Sequence, residues 1–173
     1  MALELVELQK KADEALLFMV QEIGAGGNGF VNSLNSGSME EFVSKVHRNY
    51  EISRGIDLPE EYVPQTIYWL YENGMPVGYG KLRHRLNQSL LELGGHIGYV
   101  IRPSERGKGY GKRMLEGLVK KAYEHHINKV LLTCDESNLP SRRIIEWNQG
   151  ELSSIADGKC KYWIDTSIHS NKE

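Results

Sequence analysis

The sequence predicts an α/β domain of the α+β kind, in which strands joined by hairpins are interleaved with helices. Three observations carry this expectation. Apolar residues recur three and four apart in Ala12–Ile23, Met39–Tyr50 and Met114–Ala122, the period of amphipathic helices. Short β-branched and aromatic runs such as Thr66–Tyr71 and Lys129–Cys134 read as strands. Asn73-Gly74 between two such runs is a strong two-residue hairpin signal. No linker separates these segments, so residues 1–173 are expected to form a single domain large enough for a real core.

Taken in order, residues 2–8 fit either a short strand or a helix start. Ala12, Ala15, Leu16, Met19, Val20 and Ile23 fall on one helical face, and the helix stops at Gly24. Gly24-Ala25-Gly26-Gly27-Asn28-Gly29 satisfies the Gly-x-Gly-x-x-Gly pattern, but a dinucleotide site needs a strand before it and a helix after it. A helix precedes it here, so it reads as a flexible loop, or a flap over a substrate. Ser38 and Glu41 make a capping box for a second helix that ends near Arg54-Gly55. Residues 57–64 form a loop, and the hairpin follows, its return strand running from about Val77 to Leu86. Arg83, His84 and Arg85 stand in that strand, with both arginines on one face. They are either solvated at a strand end or meet an acidic group of a substrate.

After a connection ending in Gly94-Gly95, the run His96–Ile101 reads as a strand that stops at Pro103. A loop dense in glycine and cations then opens a helix on Met114, Leu115, Leu118, Val119 and Ala122. The first amides of a helix lack intrahelical partners, and the helix dipole adds positive potential there. Gly107, Gly109 and Gly111 remove side chains that would hold a phosphate away, and Arg106, Lys108, Lys112 and Arg113 add charge. The stretch suits a diphosphate. It lacks the first glycine and the final Ser or Thr of an ATP-binding P-loop, having Arg106 and Arg113 instead. A buried strand at 129–134 follows, then a helix from Asn138 to Gly150 with Pro140 in its first turn. Two strands, about 151–155 and 159–165, flank a turn at Asp157-Gly158.

Arg106-Gly107-Lys108-Gly109-Tyr110-Gly111 after a strand resembles the acetyl-CoA motif of the GNAT superfamily of N-acetyltransferases. Asn138-x-x-Ser141 opening a helix that closes at Gly150 is similar to a second feature of that family, and the element order matches from about residue 65 onward. The resemblance implies a mixed, mostly antiparallel sheet with helices on both faces and a splayed central strand pair that admits acetyl-CoA. Acetyl-CoA would be a co-substrate, with no metal. The backbone of Tyr99, Val100 and Ile101 would pair with its pantetheine, residues Arg106 to Lys112 would hold its diphosphate, and Asn138 and Ser141 would lie near its thiol end. Arg142 or Arg143 could reach a phosphate.

The implied reaction is direct attack of a primary amine, on a small molecule or peptide, upon the thioester. An amine of pKa about 10.4 must lose a proton first, at roughly 4–5 kcal/mol near pH 7. His96 on the central strand is the leading candidate base, with a structural histidine as the alternative reading; Glu92 and Tyr99 are weaker candidates. Arg83 and Arg85 are the candidate substrate contacts. Many family members carry a tyrosine seven residues after the Asn, and this chain has Ile145. Proton donation to the departing thiolate then falls to Tyr99, Cys134 or a water. A non-catalytic acyl-CoA-binding module is the competing function.

Composition narrows the partners. A net charge of −2 argues against non-specific nucleic-acid binding. Charges interrupt the N-terminal apolar residues, so neither a signal peptide nor a membrane span is expected there. Cys134 and Cys160 are too few for a disulfide framework. The expected setting is the cytoplasm, and the apolar C-terminal strands are a surface on which two copies could pair as a homodimer.

Overall fold

The computed structural model describes residues 2–169. Along the chain lie β1 (Leu3–Glu7), α1 (Glu14–Ile23), β2 (Gly26–Gly27), β3 (Phe30–Val31), α2 (Met39–Ser53), β4 (Gln65–Glu72) and β5 (Met75–Arg83). Then come α3 (Gln88–Glu92), β6 (Ile97–Ile101), α4 (Tyr110–Glu124), β7 (Lys129–Asp135), α5 (Leu139–Trp147), β8 (Glu151–Ala156) and β9 (Lys159–Asp165). Single 3-10 turns occupy Pro103–Glu105 and Thr166–His169.

Two antiparallel sheets, ordered β1-β4-β5-β6 and β7-β9-β8, form the layer between the helices. The ambiguous residues 2–8 resolve as a strand because β4 offers them an edge, with Leu5 opposite Leu70. Alternation along β4 sends Tyr68 and Leu70 to one face, against Met114, Leu115 and Leu118 of α4. Ile67 and Trp69 go to the other, against Leu16, Val20, Phe42 and Val46 of α1 and α2. Covering both faces explains why this strand is apolar at both parities.

Helix starts follow the capping chemistry of the sequence. Asp13, Ser38, Asn87 and Asn138 each accept an amide hydrogen bond from the first turn of the helix that follows. α4 has no such cap. Its N-cap is Gly109, in the left-handed region at φ 86°.

Two expectations change. The Gly24–Gly29 segment is part of a small hairpin rather than a loop, because Asn28 (φ 52°) and Gly29 (φ 83°) make the same kind of turn as Asn73-Gly74. The return strand β5 ends at Arg83, not Leu86. Beyond its last pair, Gln65 with Arg83, the His84 amide donates to Pro64, and the His84 ring bonds the Thr66 hydroxyl at 2.7 Å.

β6 pairs with β5 on one side only, and β7 pairs with β9. The two sheets touch where His96 donates its amide to Leu131 O at 2.8 Å. Beyond that contact the strands part, and the cleft opens there.

Candidate active site

The cleft holds about 700 Å³ and passes between β6 and β7 from one face of the sheet to the other. On the α4 side it is lined by residues of the cradle, among them Arg106, Gly107 and Gly109, and by Asn138, Ser141 and Arg143 of the α5 start. On the α1 side it is lined by the hairpin Gly26–Val31, by Lys81 and Arg83 of β5, and by Leu93, Gly94 and Gly98.

Two of the three glycines before and at the start of α4 stand open and the third does not. Side chains at Gly107 (φ 80°) and Gly109 would point into open space, which leaves the amides before α4 accessible to an anion. Gly111 does other work: a Cβ there would stand 2.8 Å from Ile144 Cδ1, so this glycine lets α5 pack against α4. The cations are also divided. Arg106 donates to Ile101 O at 2.9 Å, fixing the loop to the strand end. Lys108 is exposed and paired with Glu105 at 2.7 Å, and Arg113 pairs with Glu116 and lies over the Trp147 ring. Lys112 and Arg143 line the cleft, whereas Arg142 turns away to the Tyr162 hydroxyl. Glu22, in the last turn of α1, clamps the loop from outside, accepting from the Ser104 amide and hydroxyl and from Arg102.

The open edge of β6 presents the backbone of Tyr99, Val100 and Ile101 to the cleft. Tyr99 also contributes its side chain. Its hydroxyl is buried without a hydrogen-bond partner, beside Ser141 and Cys134. Burial, Ser141 and the Cys134 thiol set its acidity, with burial dominant, and it is pushed up to about 12. Asn138 spends its carboxamide oxygen on the Ser141 amide, at 3.3 Å, as the cap of α5.

His96 is not brought to the cleft. Its Nδ1 lone pair accepts the Leu131 amide at 2.9 Å, and its ring meets Trp163 edge-on. A base whose lone pair is already engaged has nothing to offer an ammonium, and the geometry makes His96 the side-chain bolt between the two sheets. Glu92 is exposed, bonded to Gln88, and likewise does not line the cleft. Arg85 is exposed past the end of β5, while Arg83 lines the cleft. The residue that sequence reading passed over is Lys81, which shares a face with Arg83. Ile145, at the position where a tyrosine would offer a proton, is buried in the core. Among the described residues no cluster of His, Cys, Asp and Glu could hold a metal ion, and no helix is long and apolar enough to cross a membrane.

The bolt has a pH signature. Burial and the Arg83 charge lower His96 to about 4, so it stays neutral in the fold. The unfolded chain takes up that proton near pH 6.5, which favours unfolding as the pH falls from 6.5 towards 4. Urea midpoints are expected to drop across that window in the native chain, and the drop should be much smaller in His96→Asn. An equal drop in both would mean that another group governs acid stability.

Comparison with known proteins agrees with this geometry. The model of the acetyltransferase (GNAT) family matches residues 33–150, more than half of the chain. Among curated proteins nothing matches significantly. A putative acetyltransferase from Salmonella typhimurium, solved with its cofactor acetyl-CoA, is similar at 12% identity and a TM-score of 0.61, over 100% of this chain and 99% of that one. RimL, a ribosomal L7/L12 α-N-protein acetyltransferase solved with coenzyme A, is similar at 18% identity and a TM-score of 0.68, over 94% and 93%. The microcin C7 self-immunity acetyltransferase MccE, solved with acetyl-CoA and AMP, is similar at 14% and 0.66, over 94% and 92%. At such identities the structures establish a shared fold, and the family match establishes kinship. The chain belongs to the acetyltransferase (GNAT) family.

Proposed function

We propose that this protein is an acetyl-CoA-dependent N-acetyltransferase acting on a primary amine, and that residues 1–173 form its single domain; Met1 and residues 170–173 lie outside the described part. The observation that carries the reading is the uncapped start of α4. Four other helices spend a side chain on their first amides, whereas α4 leaves its own open at a glycine whose missing side chain would have pointed outward. The residues fit acetyl-CoA. The amides from Arg106 to Lys112 would meet the diphosphate with Lys112 and Arg143 nearby, and the free edge of Tyr99 to Ile101 would accept the pantetheine as an added strand. When bound, acetyl-CoA supplies an activated acetyl group as a thioester.

The amine forms the new C–N bond as the C–S bond breaks, the electron pair leaves with sulfur, and one amine proton is released. Tyr99 would donate a hydrogen bond to the departing sulfur, the role left vacant by Ile145. Its high pKa keeps it protonated, and burial strengthens the bond. A cytoplasmic setting is part of the same proposal. β8 is exposed along its length, with Leu152 and Ile155 uncovered, so sedimentation is the check on pairing between two copies.

Calorimetric titration with acetyl-CoA, beside ATP and NAD, tests the cofactor. Binding of acetyl-CoA alone is expected, and Gly109→Val should weaken it at least about tenfold, because a β-branched residue resists the left-handed conformation needed there. Thiol release with an amine panel tests the reaction. Binding without thiol release from any amine would favour a non-catalytic acyl-CoA-binding module, and no binding would remove both readings.

A further inference from the structure

Among the described residues, the α1 side of the cleft carries two cations and no anion. Lys81 is only 7% exposed, yet its ammonium meets just the Val31 carbonyl, at 2.9 Å, and the face of the Phe30 ring, 4.6 Å from the centroid. Arg83 donates one guanidinium nitrogen to Gly94 O and Gly95 O, at 3.3 and 3.2 Å. Neither belongs to any ion pair among the described residues. The two carboxylates that line the cleft are occupied elsewhere, Glu105 with Lys108 and Asp135 with Lys159. Burying like charges side by side is costly unless something compensates them. Burial, with the Arg83 charge adding to it, lowers Lys81 to about 8.

The glycine hairpin closes this end of the cleft. Its stem is anchored by buried Asn32, which donates to Val20 O and Gly24 O and accepts from the Tyr79 hydroxyl at 2.6 Å. Its Phe30 packs edge-on against Tyr79 and beside Gly98 of β6. This end of the cleft is lined by Phe30 and Leu93 as well as by the two cations.

We propose that Lys81 and Arg83, beneath the hairpin Gly26–Val31, bind the anionic group of a small acceptor, so that the substrate is an amine that also carries a carboxylate or a phosphate. This deepens the acetyl-transfer reading and rests on it. The arrangement also answers how the amine loses its proton in a cleft without a free base. The same cations that hold the acceptor's anion disfavour a third positive charge beside them, which lowers the pKa of the incoming ammonium. A polyamine would meet repulsion without compensation.

The test is thiol release from acetyl-CoA with paired amines. Amino acids are compared with their amides, aminoalkyl phosphates with the matching amino alcohols, and a polyamine serves as the cationic control. One of the two anionic sets should be used with kcat/KM at least about tenfold above its neutral partners, and which set responds separates carboxylate from phosphate. Lys81→Met and Arg83→Met should each raise KM for the preferred amine about 10- to 100-fold, the loss expected for a charged hydrogen bond, and should narrow the gap to the neutral partner. Acetyl-CoA titration of both variants should match the native chain, which shows that they fold. Equal or better use of the amides, amino alcohols or polyamine overturns the proposal, as does an unchanged KM in both variants. Failure of every anionic amine to be turned over or to raise the melting temperature at millimolar concentration, while acetyl-CoA still binds, overturns it too. Failure to bind acetyl-CoA would instead bring down the acetyl-transfer reading.

Discussion

Gly95→Ala should cost roughly 3–5 kcal/mol of stability, at the severe end for a single substitution. Gly95 sits at φ +62°, where a side chain is strained, and its Cβ would lie 2.2 Å from Leu131 O and 2.8 Å from Leu131 C. These are backbone atoms. Moving Leu131 aside would break two of the bonds at the junction of the sheets, His96 amide to Leu131 O at 2.8 Å and Leu131 amide to His96 Nδ1 at 2.9 Å. Gly107→Ala is the natural control, because φ is +80° there but nothing lies within 4 Å of the added carbon. It should lose only the conformational cost, about 1–2 kcal/mol. Urea unfolding of the two variants at neutral pH separates clash from conformation. Similar midpoints would mean that the junction gives way easily and is not the rigid hinge of the cleft.

That junction marks the boundary of what could be read from the chain alone. Local chemistry was legible: the side-chain caps of α2 and α5, the turn at Asn73-Gly74, the strand that ends at Pro103, and the glycines that keep the α4 amides open. Each depends on residues a few positions apart. Asn28-Gly29 carried the same turn signal but stood between glycines rather than apolar alternation, so its hairpin was missed. Roles set by distant neighbours were not legible. Gly111 looks like part of a phosphate loop until Ile144, from another helix, is placed against it. His96 looks poised on the central strand until the Leu131 amide takes its lone pair. Arg83 and Arg85 share a parity, but the strand ends between them, and the residue that lines the cleft beside Arg83 is Lys81 two residues earlier. The period-2 pattern already put Lys81 on that face. What it could not say was that no carboxylate among the described residues would arrive there from elsewhere in the fold.

Tyr99→Phe should lower kcat by roughly 10²–10³-fold while leaving acetyl-CoA affinity nearly unchanged, the range expected for loss of one positioned hydrogen-bond donor to charge that develops in the transition state. The substitution removes one oxygen from a ring that otherwise packs against the α4 and α5 core, so the fold loses little. Its stability should hold or rise, since the hydroxyl is buried without a partner and its removal ends an uncompensated desolvation. A residue kept for packing alone would show no such opposition between stability and rate. The chemistry constrains the role further. A phenol held near 12 cannot hand its proton outright to a thiolate whose conjugate acid ionises near 8.5, so its contribution is a hydrogen bond that strengthens as charge gathers on sulfur. The defect should therefore lie in kcat and remain across neutral pH, because Tyr99 does not titrate there. Comparison with Ser141→Ala and Cys134→Ala assigns the donor within the cluster. If Tyr99→Phe keeps its full rate and Ser141→Ala loses it, the serine hydroxyl performs this step, and the buried phenol owes its position to something other than the departing thiolate.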